Sequence, residues 1–135
     1  MTVDYQRTFG SRGGIVTVDY QRAFDMMLGH LRQQGRKSTT NGWCMYRSPR
    51  GLRCAIGALI ADEHYHSEFE RVAATDLPIK LAVIASGYNL CARFLSEAQG
   101  DLHDNLKDDL AGLEVHARLF AERWSLAYEA PEVTS

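Results

Sequence analysis

The chain has 135 residues, 45% of them apolar, with 15 Lys/Arg, 17 Asp/Glu and three cysteines. That length and apolar content fit one globular domain with its own core and argue against disorder. No apolar run approaches the roughly 20 residues needed to span a bilayer, and the longest candidate, 77–85, carries Lys80.

In chain order, the first feature is a repeat. Thr2–Phe9 recurs as Thr17–Phe24 with one difference in eight positions. The first copy runs into Gly10-Ser-Arg-Gly-Gly14, a breaker cluster that cannot continue a helix cheaply. Residues 1–15 therefore read as an N-terminal extension, either a duplicated gene start or an arm that packs on a neighbouring chain. They contain no apolar stretch of the kind a signal peptide needs.

The second copy opens a helix. Thr17 is the expected N-cap, and Tyr20, Phe24, Met27, Leu28 and Leu31 form one stripe that Gly35 ends. Residues 37–42 read as a polar loop. Residues 43–47 and 52–55 flank Ser48-Pro-Arg-Gly51, which is sound β-turn chemistry, so a short hairpin is expected at about 43–55. If Ser48 pairs with Gly51, Cys54 lies opposite Met45.

Residues 55–61 are wholly apolar and read as a buried helix. Asp76 caps a helix to about Ser86, stopped by Gly87. Asn89 caps the next, with Leu90, Phe94, Ala98 and Leu102 on one face. Asp108 or Asp109 opens the last, with Leu110, Leu113, Ala117, Phe120, Trp124 and Tyr128 in its stripe and Pro131 closing it. The expected fold is mainly α (α+β): one compact helical domain over 16–130 carrying a short β-hairpin, then a tail at 131–135.

Charge is segregated along the chain. Residues 32–53 hold Arg32, Arg36, Lys37, Arg47, Arg50 and Arg53 with no acid, and Trp43 and Tyr46 lie among them. Residues 1–58 carry nine Lys/Arg against three Asp/Glu, whereas 59–135 carry six against 14. A positive face beside a negative one points to an acidic partner, either protein or nucleic acid.

The motif Cys44-Met-Tyr-Arg47, the run Cys54-Ala-Ile-Gly-Ala-Leu-Ile60, Asp62-Glu-His-Tyr65, and Gln99 with His103-Asp104 resemble a pattern found in small phage and prophage proteins of unknown function. The last element departs from that pattern by one extra residue and by Ala98 in place of leucine. The resemblance implies a mobile-element origin and a protein working in the cytoplasm of a bacterial host. It supplies no catalytic residues.

Enzymatic chemistry finds little support in the spacing. His64 and His66 could chelate with His103 in a small metal-dependent hydrolase, but CxxC and HExxH are both missing. Cys44, Cys54 or Cys91 could be nucleophiles, yet Cys54 and Cys91 adjoin apolar stripes and free cysteine is usually a small buried hydrophobe; all three read as reduced thiols. His103 and Asp104 are neighbours, and neighbours on a helix point apart. Glu97, Asp101, Asp104 and Asp108 read as a solvated acidic face.

The resulting expectation is a non-enzymatic phage-type binding protein, with no cofactor and no bound metal. It would occupy a host or phage protein, perform as an inhibitor of a defence macromolecule, and contact it through Arg36, Lys37, Trp43, Arg47, Arg50 and Arg53. The alternatives are a nucleic-acid-binding regulator and the hydrolase. Self-association is a further expectation, permitted by the opposite charges of the two halves.

Overall fold

The computed structural model describes residues 15–131. The repeat's first copy lies outside them, as does the 132–135 end of the expected tail. Among the described residues the architecture is mainly helical with one two-stranded antiparallel sheet. No described helix is long and apolar enough to cross a membrane.

Helix α1 spans Ile15–Gln34 and starts two residues before the expected cap at Thr17. It ends where expected. Gly35 adopts φ +74, a left-handed conformation favouring glycine, and donates its N–H to Leu31 O at 2.8 Å. Phe24, Met27, Leu28 and Leu31 are all buried.

The strands are not where the turn chemistry of 48–51 placed them. β1 (Thr39–Thr40) pairs with β2 (Trp43–Cys44) in the register Thr39↔Cys44 and Thr40↔Trp43. Asn41 (φ +53) and Gly42 (φ +83) make the connection. A two-residue loop with both φ values positive matches the right-handed twist of the strands, and Asn-Gly is its preferred pair. The 48–51 turn does form, but it supports a single bridge, Arg47↔Arg53. Gly51 takes φ +86, Ser48 pairs with Leu52, and Cys54 donates its N–H to Tyr46 O. Cys54 therefore faces Tyr46, one residue from the expected Met45, because the loop has three residues rather than two.

Residues 55–61 are mostly buried, as expected, with Ala58 and Ala61 half-buried, but they are not an α-helix. They contain one 3-10 turn, Gly57–Leu59, followed by 3-10 turns at Asp62–His64 and Ser67–Arg71. Close approach fixes this path: a Cβ on Gly57 would sit 2.0 Å from Tyr46 O.

Helix α2 (Leu77–Ala85) follows Asp76, with Pro78 in its first turn and Gly87 (φ +105) just beyond its end. Asp76 turns its carboxylate back to accept the Ala73 N–H rather than capping the helix. Helix α3 (Ala92–Gln99) begins three residues after Asn89, with Cys91 as its N-cap. Leu90 is buried, and the intervening extended chain is tied to α1 by Asn89 N–H to Asp19 and Cys91 N–H to the Tyr20 hydroxyl. Helix α3 then widens into a π-type turn, Gly100–Asp104.

Helix α4 (Leu113–Arg123) starts later than Asp109, after Gly112 at φ +86. Tyr128 is not on it. Ser125 (φ +57) ends the helical path, and the tail returns along α1 through paired bonds between Gln21 and Ala127.

Phe24, Phe94 and Phe120 are the largest fully buried side chains, with ring centroids 5.3–5.9 Å apart in the two Phe120 pairs. Tyr20 and Trp124 close the cluster. Each such ring contributes about 1.5–3 kcal/mol through burial. This core joins α1, α3 and α4, and the π-type turn adds Leu102 to it.

Candidate functional site

The basic segment is less cationic in space than along the chain. Arg47 Nη1 lies 2.9 Å from Asp62, its Nη2 donates to Ile60 O at 2.7 Å, and its guanidinium stacks 4.6 Å from the Tyr65 ring centroid. Arg53 reaches the same Asp62 oxygen at 3.0 Å. Lys37 spends its ammonium on the carbonyls of Asp104 and Leu106, each at 3.0 Å. Arg32 makes a two-pronged pair with Glu114 at 2.7 and 2.9 Å. Only Arg36 and Arg50 of this group carry no side-chain partner among the described residues. An exposed ion pair stabilises by about 0–1 kcal/mol, so the main effect of Asp62 is to remove charge from this face.

Trp43 stands apart. It is 78% exposed, at the start of β2 beside the Asn41-Gly42 turn. Along the chain beyond it burial deepens: Cys44 and Met45 are half-buried and Tyr46 is buried.

The three histidines of the metal alternative do not assemble. His103 is fully buried, whereas His66 is exposed with its ring edge-on to Phe69. The one group of three ligating side chains among the described residues is Cys44, His103 and Asp104, whose ligating atoms lie within 4.8 Å of one another. Its hydrogen bonding opposes a metal. The Ser38 backbone N–H donates to His103 Nε2 at 2.9 Å, so the ring proton is on Nδ1, where it is donated to Asp104 Oδ1 at 2.8 Å. Both ring nitrogens are occupied. A cation on Nδ1 would displace that proton to Nε2, against the Ser38 N–H.

The π-type turn is what lets adjacent residues His103 and Asp104 meet, contrary to the expectation from ordinary helix geometry. Asp104 Oδ1 also accepts from Gln99 Nε2 at 2.7 Å. Gln99 is itself fixed, because its Oε1 accepts the Ile56 N–H at 3.0 Å. The buried polar residues described are Ser38, Ser48, Gln99 and His103; two of the four, Gln99 and His103, bond directly to this one carboxylate. Asp104 is not simply part of a solvated acidic face: its half-buried side chain lines a cleft of about 350 Å³ together with Cys44, Glu70, Ser96 and Asn105. Partial burial opposes its ionisation, but hydrogen bonds from His103, Cys44 and Gln99 outweigh this and hold its carboxyl below the usual range.

Glu70 holds the other wall. Its oxygens accept the N–H groups of Tyr46 and Arg47 at 2.9 and 3.0 Å, and the Tyr65 hydroxyl at 2.6 Å. The residues that carry the phage-protein resemblance are therefore spatial neighbours: Cys44, Tyr46 and Arg47 meet Gly57, Tyr65, Gln99, His103 and Asp104 through the contacts above.

The cysteines differ sharply. Burial, then the Asp104 carboxylate, push the Cys44 thiol up to about 11. Complete burial pushes Cys54 up to about 12. Partial burial opposes ionisation of Cys91 too, but the Tyr20 hydroxyl and the N–H groups of Phe94 and Arg93 at the start of α3 prevail and lower its pKa.

Sequence reasoning missed the Asn41-Gly42 hairpin, although that pair is a strong local signal. It also missed the Asp104 network, for which no spacing rule exists, since its members come from four separate segments. Comparisons with protein-family models, with curated proteins and with solved structures find no match to this chain.

Proposed function

We propose that this chain is a non-catalytic binding protein that docks on a partner macromolecule through the tip of the β1–β2 hairpin. The observation that carries this reading is Trp43, a large aromatic side chain left 78% exposed beside a tight Asn-Gly turn. Aromatic anchors of this kind dominate binding energy when a partner buries them. Arg36 and Arg50 supply the uncommitted positive charge for an acidic protein. Arg47, Arg53 and Lys37 shape the surface from beneath, because Asp62 and backbone carbonyls already engage them. The phage-protein resemblance supports a bacterial host protein as the partner and inhibition as the outcome.

The test is affinity capture from a host lysate with the wild-type chain, Trp43→Ala and Arg50→Glu. One specific partner that is retained by wild type and lost by about tenfold or more with Trp43→Ala supports the reading. An unchanged partner list overturns it. A nucleic-acid partner is distinguished by a salt titration, since each phosphate contact contributes about −0.9 to the slope of log K against log salt. Two free arginines would give a slope of only about −2.

A further inference from the structure

We propose that Asn41 is a site of spontaneous chemical modification: its side-chain amide closes onto the Gly42 nitrogen and reopens as aspartate or isoaspartate, which resets the surface that Trp43 presents. Ring closure forms a bond from Gly42 N to Asn41 Cγ and breaks the Cγ–Nδ2 bond. Nδ2 leaves as ammonia, taking up the proton that Gly42 N gives up. Water then opens the cyclic imide. Addition at Cγ gives aspartate; addition at the Asn41 backbone carbonyl gives isoaspartate, whose main chain runs through Cβ and Cγ. Neither step needs a reagent other than water.

The nucleophile is the amide nitrogen of the following residue, so the surroundings of that nitrogen govern the rate. Gly42 has no Cβ to shield it, and even an added Cβ would find nothing within 4 Å. Its N–H makes no backbone hydrogen bond among the described residues. Asn41 and Gly42 are both exposed. Closure also requires rotation about the Asn41 Cα–C bond, which the paired strands resist. Those strands are only Thr39–Thr40 and Trp43–Cys44. A hairpin that short is marginal on its own, and loop tips open at little free-energy cost.

The other two asparagines are built the opposite way. Asn89 and Asn105 are each followed by a buried leucine, Leu90 and Leu106. The Leu106 N–H is engaged by His103 O at 3.0 Å, and Asn89 is held to α1 by its own N–H on Asp19. Both are internal controls.

The two products differ at the tip. Asp-Gly suits the same two-residue turn, so aspartate keeps the Thr40↔Trp43 pair and adds a negative charge beside it. Isoaspartate adds a backbone carbon inside that loop, which then no longer closes in the same register. Only the consequence for a partner rests on the hairpin reading: an acidic protein held by Trp43, Arg36 and Arg50 would meet a new like charge or a displaced indole.

The experiment ages the whole chain at mildly acidic and mildly alkaline pH and follows the three asparagines by peptide mass spectrometry, with an isoaspartyl methyltransferase to separate the products. Asn41 should convert about tenfold or more faster than Asn89 or Asn105, and faster in alkali, which removes the Gly42 amide proton. Gly42→Ala should slow the conversion even though it strains a left-handed position and loosens the turn. In NMR spectra the isoaspartate fraction should lose the Thr40–Trp43 contacts and shift the Trp43 indole, whereas Asn41→Asp should keep the contacts. Conversion of Asn41 no faster than that of the other two, undiminished conversion in Gly42→Ala, or an unchanged Trp43 environment in the isoaspartate fraction overturns the proposal. Partner capture by Trp43→Ala is read separately: its failure removes the hairpin reading and leaves the Asn41 chemistry standing, and the reverse also holds.

Discussion

The backbone N–H of Ser38 donates to Nε2 of His103, 65 residues away, across 2.9 Å. This bond ties the chain ahead of β1 to the π-type turn after α3, and it fixes His103 as a neutral imidazole with its proton on Nδ1.

The first prediction follows from that assignment. 15N spectra of the His103 ring should show the Nδ1–H form, and added zinc or manganese should leave them unchanged. His103→Ala strands a buried donor at Ser38 and removes a donor from Asp104. Each buried orphan costs about 1–3 kcal/mol, so urea denaturation should show a loss of about 2–4 kcal/mol. A metal-induced change in the His103 signals would restore the metal alternative.

Acid should unfold the protein through its paired carboxylates. Asp104 is held below its ordinary range, as described. Glu114 is lowered by Arg32 and then Tyr128, and Glu97 by Arg93 and then Trp124 and Arg123. A folded-state pKa below the unfolded one means that the unfolded chain binds more protons on acidification. The stability these groups confer is complete above the unfolded carboxylate range, about pH 4–5, and is lost as pH falls through the folded values. The melting temperature should therefore drop on moving from pH 6 to about pH 3, and Asp104→Asn should flatten that drop. A melting temperature independent of pH over that span would contradict the network.

The three thiols should react in a set order. Cys91 is exposed with a lowered pKa, Cys44 is half-buried with a pKa of about 11, and Cys54 is fully buried with one of about 12. Thiolate is the reactive form. Iodoacetamide at neutral pH should label Cys91 first, Cys44 much more slowly, and Cys54 only as fast as the chain opens, as read by mass spectrometry of the digested protein. Early labelling of Cys54 would contradict the packing at the start of the Gly57–Leu59 turn.

Gly57→Ala should be severe. Its Cβ would meet backbone, Tyr46 O at 2.0 Å, and no rotamer change relieves a backbone clash. The expected loss is about 3 kcal/mol or more. Gly29→Ala, on the exposed face of α1 with nothing within 4 Å, should be neutral or stabilising by up to about 1 kcal/mol. Comparable midpoints for the two variants in denaturant would argue against the Tyr46–Gly57 contact.

Local signals in the sequence were sufficient for α1 and α2, but not for 55–61, which forms a 3-10 turn, nor for the starts of α3 and α4. The 3.6-residue stripe of α1, its stop at Gly35, and the Asp76, Pro78 and Gly87 boundaries of α2 each depend on residues within one turn of the feature they specify. The Asn41-Gly42 hairpin was equally local and was passed over for the more conspicuous Pro-Arg-Gly turn. Charge and chemistry behaved differently. Counting acids within 32–53 could not register Asp62 and Glu114, which reach the arginines only after folding. Nor could adjacent residues His103 and Asp104 be read as a pair until one extra residue widened the helix and turned both toward Cys44 and Gln99. Periodicity is written in near neighbours along the chain. Which buried donor meets which acceptor depends on segments up to 65 residues apart, and only the packed core brings them within hydrogen-bond distance.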